Sequence, residues 1–531
     1  MRVATLALPA ALIAGTLFAA GIALGLAPTD DAFITYRCAR NLAEGHGPVY
    51  NPGETVEASS SFLYTLVLGG LAALGIEPPA GALLVGAISL WLTALGMMLH
   101  ARRVLADRRA LRRAWIAIAL VAAFTSPALL LYLHVGLETC FYTALLTGAA
   151  LVLLGGPLDR RRLATAGMLW GLAAATRIEA LALLPAAAFP LIGDAGLRRG
   201  LRRALPMAIG LLVAFAPPLI FRWAYFGDPL PNTFYAKVHG GGLELRLRGL
   251  GYVWEFLSVH PLWIATIAAA GLRLVLDSRQ RTRTAFLLAA LLCQAGAIVY
   301  VGGDFFPFHR FTVPVVPLWA MLYADLALRG IGTGTRAALE DESLSAPRRW
   351  VVAAAALLAL ASSVRAAAQP AQLEFAMVQR VSTAGRAEIG TRLGEILPPG
   401  ASLLTGTAGA IPYFSRLRSH DLFGLTDPAV ARLPIPVGEG MPGHEKWNTY
   451  EQIEMRQPDV IVFLEWPLPI TSPAETLRKE LRARAAFSKN TCPQSPLADY
   501  RLMRLRTPHH EAVLGVRAEL ASSLDSDLEP L

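Results

Sequence analysis

Two adjacent carboxylates, Asp30 and Asp31, follow directly after the first long apolar run of the chain, residues 3–27. Because that run is long enough to cross a bilayer as a helix, the two acids would stand at the boundary between membrane and water. A carboxylate at this boundary can act as a general base toward the head group of a lipid-linked substrate. The structural alternative is helix capping, since Thr29 or Asp30 is a good N-cap and acids favour a helix N-terminus.

Cationic side chains occur in other polar segments that would meet the same face of the membrane. Lys237 and Arg310 are flanked by aromatic residues, and such a cation can hold a phosphate group. Asp304, His309 and Arg310 are close together in the chain at the end of an apolar run, where ionisable residues are more often functional than not. For Lys237, a solvated loop lysine is the plain alternative.

Three further ionisable residues permit both a structural and a functional interpretation. Arg177 and Glu179 separate two apolar runs, and Glu138 lies at the edge of another. An ion pair among these residues is at least as good an explanation as substrate contact. Arg37, which follows the aspartate pair on the next expected helix, adds a cation to the polar surface that begins there.

The composition is that of an integral membrane protein. Of the 531 residues, 54% are hydrophobic and 16% are charged, whereas soluble domains carry about 25% charged residues. The net charge of +9 comes largely from arginines bunched around 102–113, 160–162, 198–203 and 273–283. This clustering is the positive-inside pattern of short cytoplasmic loops. We therefore expect the lipid bilayer, and no nucleic acid, as a partner.

The cysteines and acids give no reason to expect a metal or another cofactor. The four cysteines are Cys38, Cys140, Cys293 and Cys492. They are far apart and lack the spacing of a zinc or iron–sulfur site. Cys38 and Cys492 could meet outside the membrane, but the sequence does not decide whether they pair. Asp30, Asp31 and Asp304 could share a divalent ion, although no spacing rule requires it.

The arginine clusters, taken as cytoplasmic, predict eleven transmembrane helices with the N-terminus inside. The predicted spans are 4–27, 82–101, 114–133, 138–156, 163–178, 180–194, 205–223, 262–277, 284–301, 312–329 and 350–367. The first span is longer than the apolar part of a signal peptide and is expected to be retained. Residues 28–80 then form the first outer loop. Within it, the apolar stretch 61–76 is expected to re-enter or lie on the outer face, because a crossing would reverse the arginine loops.

The chain is expected to divide at residue 368. Residues 1–368 would form the transmembrane catalytic domain, and residues 369–531 an extracytoplasmic soluble α/β domain, the tail domain. Strand-like pieces in the tail are 401–406, 410–414, 459–465 and 500–505, with helix-like stretches at 371–396 and 474–486. The last residues, SSLDSDLEPL, are expected to be frayed.

Several of these motifs together resemble the GT-C glycosyltransferases. The matching segments are DDAFITYRCARNLAEGHGPVYNPGETVE (30–57), GLE (136–138), TRIE (176–179), GDPLPNTFYAK (227–237), GGDFFPFHR (302–310) and GHEK (443–446). Within that superfamily the chain is similar, nearly end to end, to the terminal β-(1→2)-arabinofuranosyltransferases of the mycobacterial cell wall and their bacterial relatives. Many relatives carry an aromatic- or glycine-containing stretch after the Val-Glu pair, where this chain has Ala58 and three serines. This departure leaves the acceptor and the donor sugar open.

The resemblance implies a fold, a reaction and a set of site residues. The fold is an α-helical, multi-pass GT-C-like membrane domain of about eleven helices with an extracytoplasmic tail, in the bacterial inner membrane. The reaction is an inverting transfer of a sugar, with arabinofuranose as the candidate, from a polyprenyl-phosphate donor to a cell-envelope glycan acceptor. A catalytic aspartate is implied on the first outer loop. This makes Asp30 or Asp31 the general base, and the sequence does not decide between them; we assign Asp30 as the base, with Asp31 assisting by orientation or metal contact.

The remaining site assignments concern the substrates. The predicted substrate-binding residues are Arg37, Arg177, Lys237, Asp304, His309, Arg310 and His444. A transporter or flippase for a lipid-linked sugar is the alternative function. It is disfavoured because the ionisable residues gather at one edge of the membrane and no internal repeat is visible, whereas transporters commonly show repeats and charges near the midplane.

Overall fold

The computed structural model describes residues 4–193, 196–276, 281–329, 346–446, 449–467, 497, 499–524 and 526–531. The α-helices are α1 Ala4–Ala23, α2 Ala32–Ala43, α3 Phe62–Ala73, α4 Pro78–Val104, α5 Arg109–Phe124, α6 Pro127–His134, α7 Thr139–Leu154, α8 Arg160–Thr176, α9 Ala188–Ile192, α10 Gly196–Phe226, α11 Asn232–Lys237, α12 Leu243–Val259, α13 Pro261–Leu276, α14 Arg281–Val301, α15 Val316–Arg329, α16 Ala346–Ala367, α17 Pro370–Ile396, α18 Ala410–Ser415, α19 Pro428–Ala431, α20 Thr449–Arg456 and α21 Ala518–Ala521. Two 3₁₀ segments occupy Ile178–Ala187 and Arg310–Val315. The strands are β1 Ser402–Thr405, β2 Arg418–Asp421, β3 Val460–Pro467, β4 Tyr500–Arg506, β5 His510–Arg517 and β6 Glu529–Pro530.

Within the described ranges, six helical segments are long and apolar enough to cross a membrane. They are residues 5–23, 78–104, 196–226, 281–301, 310–328 and 347–367. Two bent pairs, α5 with α6 at 59° and α12 with α13 at 98°, raise the number to eight if each pair is one span. Each second helix begins at a proline, which cannot continue the preceding helix. These helices make the chain a membrane protein.

The remaining three predicted spans correspond to shorter helical elements. Helix α7 has 16 residues and α8 has 17, while the stretch 180–194 is divided between a 10-residue 3₁₀ segment and the 5-residue α9. A straight helix needs about 20 residues to cross the hydrocarbon core. The prediction of eleven spans therefore stays a prediction. Helix α3 has 12 residues and is too short to cross, consistent with the interpretation of 61–76 as a non-spanning stretch.

Helices α8 and α10 pack with their backbones in close contact. A Cβ atom added at Gly167 would lie 1.9 Å from the Met207 carbonyl oxygen, and one at Gly210 would lie 2.1 Å from that of Ala164. Such small residues allow two membrane helices to approach without intervening side chains. The contact fixes the position of α10, whose C-terminal end reaches the functional site.

The tail domain contains a six-stranded sheet with the order β2-β1-β3-β5-β4-β6. Strands β2, β1 and β3 are parallel, and β3, β5, β4 and β6 are antiparallel neighbours. The predicted strands near 401–406, 459–465 and 500–505 are confirmed as β1, β3 and β4. Helix α17 packs against β3 and β5 and confirms the helix expected at 371–396.

Two expectations for the tail were wrong. Residues 410–414 form a helix, α18, instead of a strand, because the turn at Gly409 and the missing N–H of Pro412 do not suit a sheet ladder. The C-terminus is not frayed, since Leu524 and Leu528 are buried in the tail core and β6 pairs with β4. The predicted helix 474–486, and Cys492 with its open pairing, lie outside the described residues; Cys38 is buried.

Arg37 joins the tail domain to the segment that follows α1. Its guanidinium, 2% exposed, donates to the carbonyl oxygens of Tyr50 at 2.7 Å, Leu417 at 2.7 Å and Pro412. It also donates to Asn51 Oδ1 at 3.0 Å. The structure therefore places Arg37 at the contact between the segment after α1 and the tail domain. This position differs from the substrate-facing surface that the sequence had suggested.

Replacing Arg37 with Met should destabilise the protein by on the order of 4 kcal/mol, because several buried acceptors lose their donor at once. Thermal unfolding of the detergent-solubilised protein would measure the loss, and limited proteolysis would detect a loosened tail. Arg40→Met is the matched control: Arg40 is half-buried, lies one turn later and makes one hydrogen bond with the described residues, to the Tyr413 carbonyl at 2.8 Å. Equal losses for both variants would contradict the special role of Arg37.

Candidate active site

A cavity of about 480 Å³ lies between the ends of the membrane helices and the loops above them. Its charged lining residues are Arg177, Glu179, Arg222, Lys237, Arg248, Asp304 and Arg310. Phe234, Val238, Ala297, Tyr300 and Val301 supply apolar wall. The volume is typical of small-molecule sites, and the excess of cations over carboxylates fits an anionic ligand with an apolar part.

Among the cations of this wall, Lys237 is the one without a partner in the described part of the chain. Within the described part of the chain its ammonium has neither a hydrogen-bond acceptor nor a salt-bridge partner. Burial lowers the pKa of Lys237, while the charges of Asp31 and Asp304 raise it. The loop of the tail domain packs on its stem, since a Cβ added at Gly443 would lie 2.7 Å from Lys237 Cε. An anion entering the cavity would supply the missing partner.

Asp304 and Arg310 lie together in the cavity wall. Arg310 Nε is 2.6 Å from Asp304 Oδ2, an ion pair whose angle does not fit a hydrogen bond. The loop between them contains Phe308 and His309 with φ values of 54° and 52°, in the left-handed region that side chains rarely adopt. Such strain, of order 1–3 kcal/mol for each residue, persists where the surroundings hold the backbone firmly and is common at functional sites.

His309 and Arg177 have partners that reduce their availability to a ligand. The His309 ring packs at 5.0 Å from that of Tyr252 and 5.5 Å from that of Phe256, and its Nε2 is 3.7 Å from Glu255. It is not among the cavity-lining residues. Arg177 lines the cavity but donates to Glu138 at 2.5 Å and Glu179 at 2.7 Å. For Arg177, the structural interpretation is thus realised.

The two adjacent aspartates have different surroundings. Asp30 is 6% exposed, accepts a hydrogen bond from the Ala410 backbone N–H at 2.9 Å and lies 3.7 Å from Arg386. The approach is so close that a Cβ added at Gly409 would lie 1.9 Å from the Asp30 carbonyl oxygen. Asp30 thus links the segment after α1 to the tail domain. The sequence had suggested a helix N-cap or a general base for this residue, and neither interpretation predicted the contact.

Asp31 is the aspartate whose carboxylate is free. It occupies the N-cap position of α2, yet its side chain makes no capping hydrogen bond, and no other partner occurs among the described residues. Burial raises the pKa of Asp31, and the charge of Asp30 adds to this, whereas Lys237, Arg310 and His444 lower it. A partly buried carboxylate with a raised pKa and no partner is suited to accepting a proton.

His444 brings the tail domain to the same place. Its ring packs at 4.7 Å from that of Phe423 and 5.6 Å from that of Phe305, and its Nδ1 is 3.3 Å from the Pro442 carbonyl oxygen. Burial lowers the pKa of His444, and Asp31 raises it. Asp31 and His444 are not among the cavity-lining residues. Lys237 connects them to the cavity, because it lines the wall and also interacts electrostatically with both.

The arrangement of acids does not form a metal centre. Across the described ranges, no group of three or more His, Cys, Asp or Glu side chains is placed to hold a metal ion. Asp30 accepts a hydrogen bond from the Ala410 N–H, and Asp304 is paired with Arg310.

Sequence reasoning missed two further cations in the cavity wall, Arg222 and Arg248. Arg222 pairs with Glu57 at 2.8 Å, and Arg248 pairs with Glu445 at 3.0 Å. A signal existed for Arg222, because it is an arginine inside a predicted span, and an intramembrane charge is by default a candidate functional residue. Arg248 lies in an ordinary polar segment and carried no such signal.

Comparison with solved structures identifies the fold. The chain is similar to a crystal structure of ArnT from Cupriavidus metallidurans bound to undecaprenyl phosphate, with a TM-score of 0.57, 14% identity, and 98% of each chain covered. The apo state of ArnT gives a TM-score of 0.54 and 17% identity, over 95% of this chain and 98% of that one. The chain has the fold of ArnT. At this level of identity the likeness concerns the fold alone.

Sequence comparisons cover parts of the chain. Over 285 residues the chain is 32% identical to the terminal β-(1→2)-arabinofuranosyltransferase of Mycobacterium tuberculosis, which confirms the resemblance seen in the motifs. The match covers 51% of this chain and 44% of the relative, so it spans less than half of that protein's length. It covers about half of this chain, whereas the motifs had suggested similarity nearly end to end. Residues 372–511, in the tail of the ArnT-like fold, match a family described as "Domain of unknown function (DUF8728)".

Proposed function

We propose that the protein is a membrane glycosyltransferase that moves a sugar from a polyprenyl-phosphate donor to a glycan acceptor. The observation that carries the proposal concerns Lys237, which lines an apolar-walled cavity, has no partner among the described residues and interacts electrostatically with the Asp31 carboxylate. A phosphate, an apolar tail and a reacting hydroxyl need these three features side by side. The fold shared with ArnT, a protein seen with undecaprenyl phosphate bound, supports this choice of donor.

The donor phosphate is proposed to occupy the cavity beside Lys237 and Arg310. Cations next to a leaving phosphate stabilise the negative charge that develops as its bond to the sugar breaks, and in a water-poor site this contributes several kcal/mol. Arg310 contacts Asp304 through Nε at 2.6 Å and also lines the cavity. The apolar residues of α14 would border the first part of the prenyl chain.

Asp31 is proposed as the general base, in place of the earlier assignment to Asp30. Its carboxylate takes the proton of the acceptor hydroxyl while the hydroxyl oxygen forms a bond to the anomeric carbon. The bond between that carbon and the phosphate oxygen breaks, its electron pair stays on the phosphate, and the anomeric centre inverts. Asp30 keeps the tail domain in place, and His444 of that domain is positioned to contact the sugar or the acceptor.

The candidate substrates are proposed by analogy with the relative that matches half of the chain. Because half of the chain is 32% identical to an arabinofuranosyltransferase, arabinofuranose is the candidate sugar and a cell-envelope glycan the candidate acceptor. Incubating the purified protein with radiolabelled polyprenyl-phosphate pentoses and hexoses would show which donor is consumed. The proposed location is the bacterial inner membrane, with the site and the tail domain outside.

Replacing Asp31 with Asn should lower sugar transfer by about 10²–10⁴-fold, the usual contribution of a positioned general base. The isosteric Asp30→Asn is the matched control: an amide oxygen still accepts the hydrogen bond from Ala410, so most activity should remain. Transfer from the consumed donor, measured on both folded variants, decides the assignment. Full activity in the Asp31 variant would exclude it as the base.

The fall of the reaction rate at acid pH, which is the acid limb of the pH–rate profile, should follow the protonation of the Asp31 carboxylate. Because a base works only when deprotonated and burial raises the pKa of Asp31, kcat/KM should fall at a higher pH than for an exposed aspartate. Lys237 is the largest influence that lowers this pKa, so Lys237→Gln should move the limb to still higher pH, besides weakening donor binding. An acid limb at the same pH in the Lys237 variant would show that Lys237 does not influence the pKa of Asp31.

Alkaline phosphatase fused at the C-terminus should be active in cells, since this reporter needs an extracytoplasmic location and the tail is proposed to lie outside. The same reporter inserted in the arginine cluster at 102–113 should be inactive, because that cluster is proposed to stay in the cytoplasm. The reverse pattern would place the aspartates on the cytoplasmic side and remove the proposed reaction from the outer face.

A further inference from the structure

Arg222 and Glu57 form a buried ion pair at the edge of the cavity. Arg222 Nε donates to Glu57 Oε1 at 2.8 Å, and the side chains are 2% and 4% exposed. Glu57 belongs to the loop before α3, and Arg222 lies near the C-terminal end of α10. The pair thus joins a membrane helix to the segment that carries the aspartates, and Arg222 lines the cavity together with Ser60.

The pair leaves hydrogen-bonding capacity unused. Among the residues that the structure describes, no acceptor reaches the two terminal nitrogens of Arg222, and Glu57 Oε2 also lacks a partner. The neighbouring arginines differ. Arg177 donates from one terminal nitrogen to Glu138 and from the other to Glu179. Arg248 pairs with Glu445 and also donates to the carbonyl oxygens of Gly302 and Gly440.

A role limited to stability does not account for this arrangement. The cost of removing two charges from water can equal or exceed the attraction between them, so buried pairs contribute little or nothing to folding. The buried Glu57 Oε2, which has no hydrogen-bond partner among the described residues, adds a further cost. Because Arg222 lines the cavity, an anion there would accept from its terminal nitrogens and offset part of the cost of holding the charge out of water.

The loop around Glu57 fixes Arg222 in one position. The Glu57 carbonyl oxygen accepts a hydrogen bond from the Asn232 N–H at 3.0 Å, which links this loop to α11 and therefore to Lys237. The Arg222 guanidinium also lies over an aromatic ring, with its Cζ 5.6 Å from the centre of the Phe62 ring. Because Nε is held by a carboxylate, the planar fork at the far end is already oriented before a ligand arrives.

We propose that Arg222, oriented by Glu57, binds the phosphate of the lipid-linked donor together with Lys237. This inference rests on the proposed function and deepens it by naming a second phosphate-binding residue on the membrane side of the cavity. A guanidinium fork suits two oxygens of one phosphate, whereas the lysine supplies a compact point charge. Glu57 acts as a positioning residue, because it touches Arg222 and not the phosphate.

The test is the binding of undecaprenyl phosphate, compared with undecaprenol, to the protein in lipid nanodiscs by native mass spectrometry. Wild-type protein should prefer the phosphate by at least tenfold. Arg222→Gln should reduce that preference about tenfold, and Arg222→Lys should restore part of it. Arg202→Gln is the matched control, since Arg202 is exposed at the other end of the same helix and should leave the preference unchanged.

The double variant Arg222→Gln/Glu57→Gln protects the test against misfolding, because it leaves no unpaired buried carboxylate. It should show the same loss of preference as Arg222→Gln. If both variants keep the wild-type preference, Arg222 does not bind the phosphate, while the proposed function stands. If wild-type protein itself does not distinguish the phosphate from the alcohol, the proposed function fails.

Glu57→Gln alone tests the positioning role. The arginine keeps its charge but loses the carboxylate that orients it, so KM for the donor should rise several-fold while kcat changes less. A purely structural pair would instead lower the amount of folded enzyme and leave KM unchanged. That result would overturn the role assigned to Glu57.

Discussion

The contact between the tail domain and the first segment after α1 is the constraint on which the site depends. Arg37 bonds to backbone carbonyls of both parts, and Asp30 accepts from the Ala410 N–H. These bonds are buried, so their loss would leave several polar groups without partners. Because Asp30 is committed to this contact, its neighbour Asp31 is left as the free carboxylate, and the same contact brings His444 close to it.

Charge compensation explains how so many ionisable groups coexist at the end of a helical bundle. Four arginines of the cavity wall, Arg177, Arg222, Arg248 and Arg310, each have a carboxylate partner, which limits the cost of holding their charge out of water. Lys237 has none within the described ranges, and Asp31 likewise stays unpaired. The positions without compensation are those where the proposed reaction needs a cation for the phosphate and a base for the hydroxyl.

Local sequence patterns predicted most of the strands but not the tertiary contacts between distant segments. The tail strands near 401–406, 459–465 and 500–505 could be read from short apolar alternation between turn residues, and they are present as β1, β3 and β4. The strand expected at 410–414 failed because its turn and proline outweigh its apolar content. Arg37 looked like a ligand-facing cation, yet its acceptors at Pro412 and Leu417 are far away in the chain.

The sequence by itself determined the membrane class, the approximate helix positions and the resemblance to GT-C enzymes, because apolar length, arginine clustering and short motifs are local properties. It also singled out the Asp30–Asp31 pair, with Asp30 as the base. The substrate-binding residues that it named were Arg37, Arg177, Lys237, Asp304, His309, Arg310 and His444. Tertiary structure decided which of the two aspartates is free, which cations are already paired and that Arg222 faces the cavity with Glu57 behind it. Those outcomes depend on contacts between distant segments, and no local pattern encodes which buried charge finds a partner.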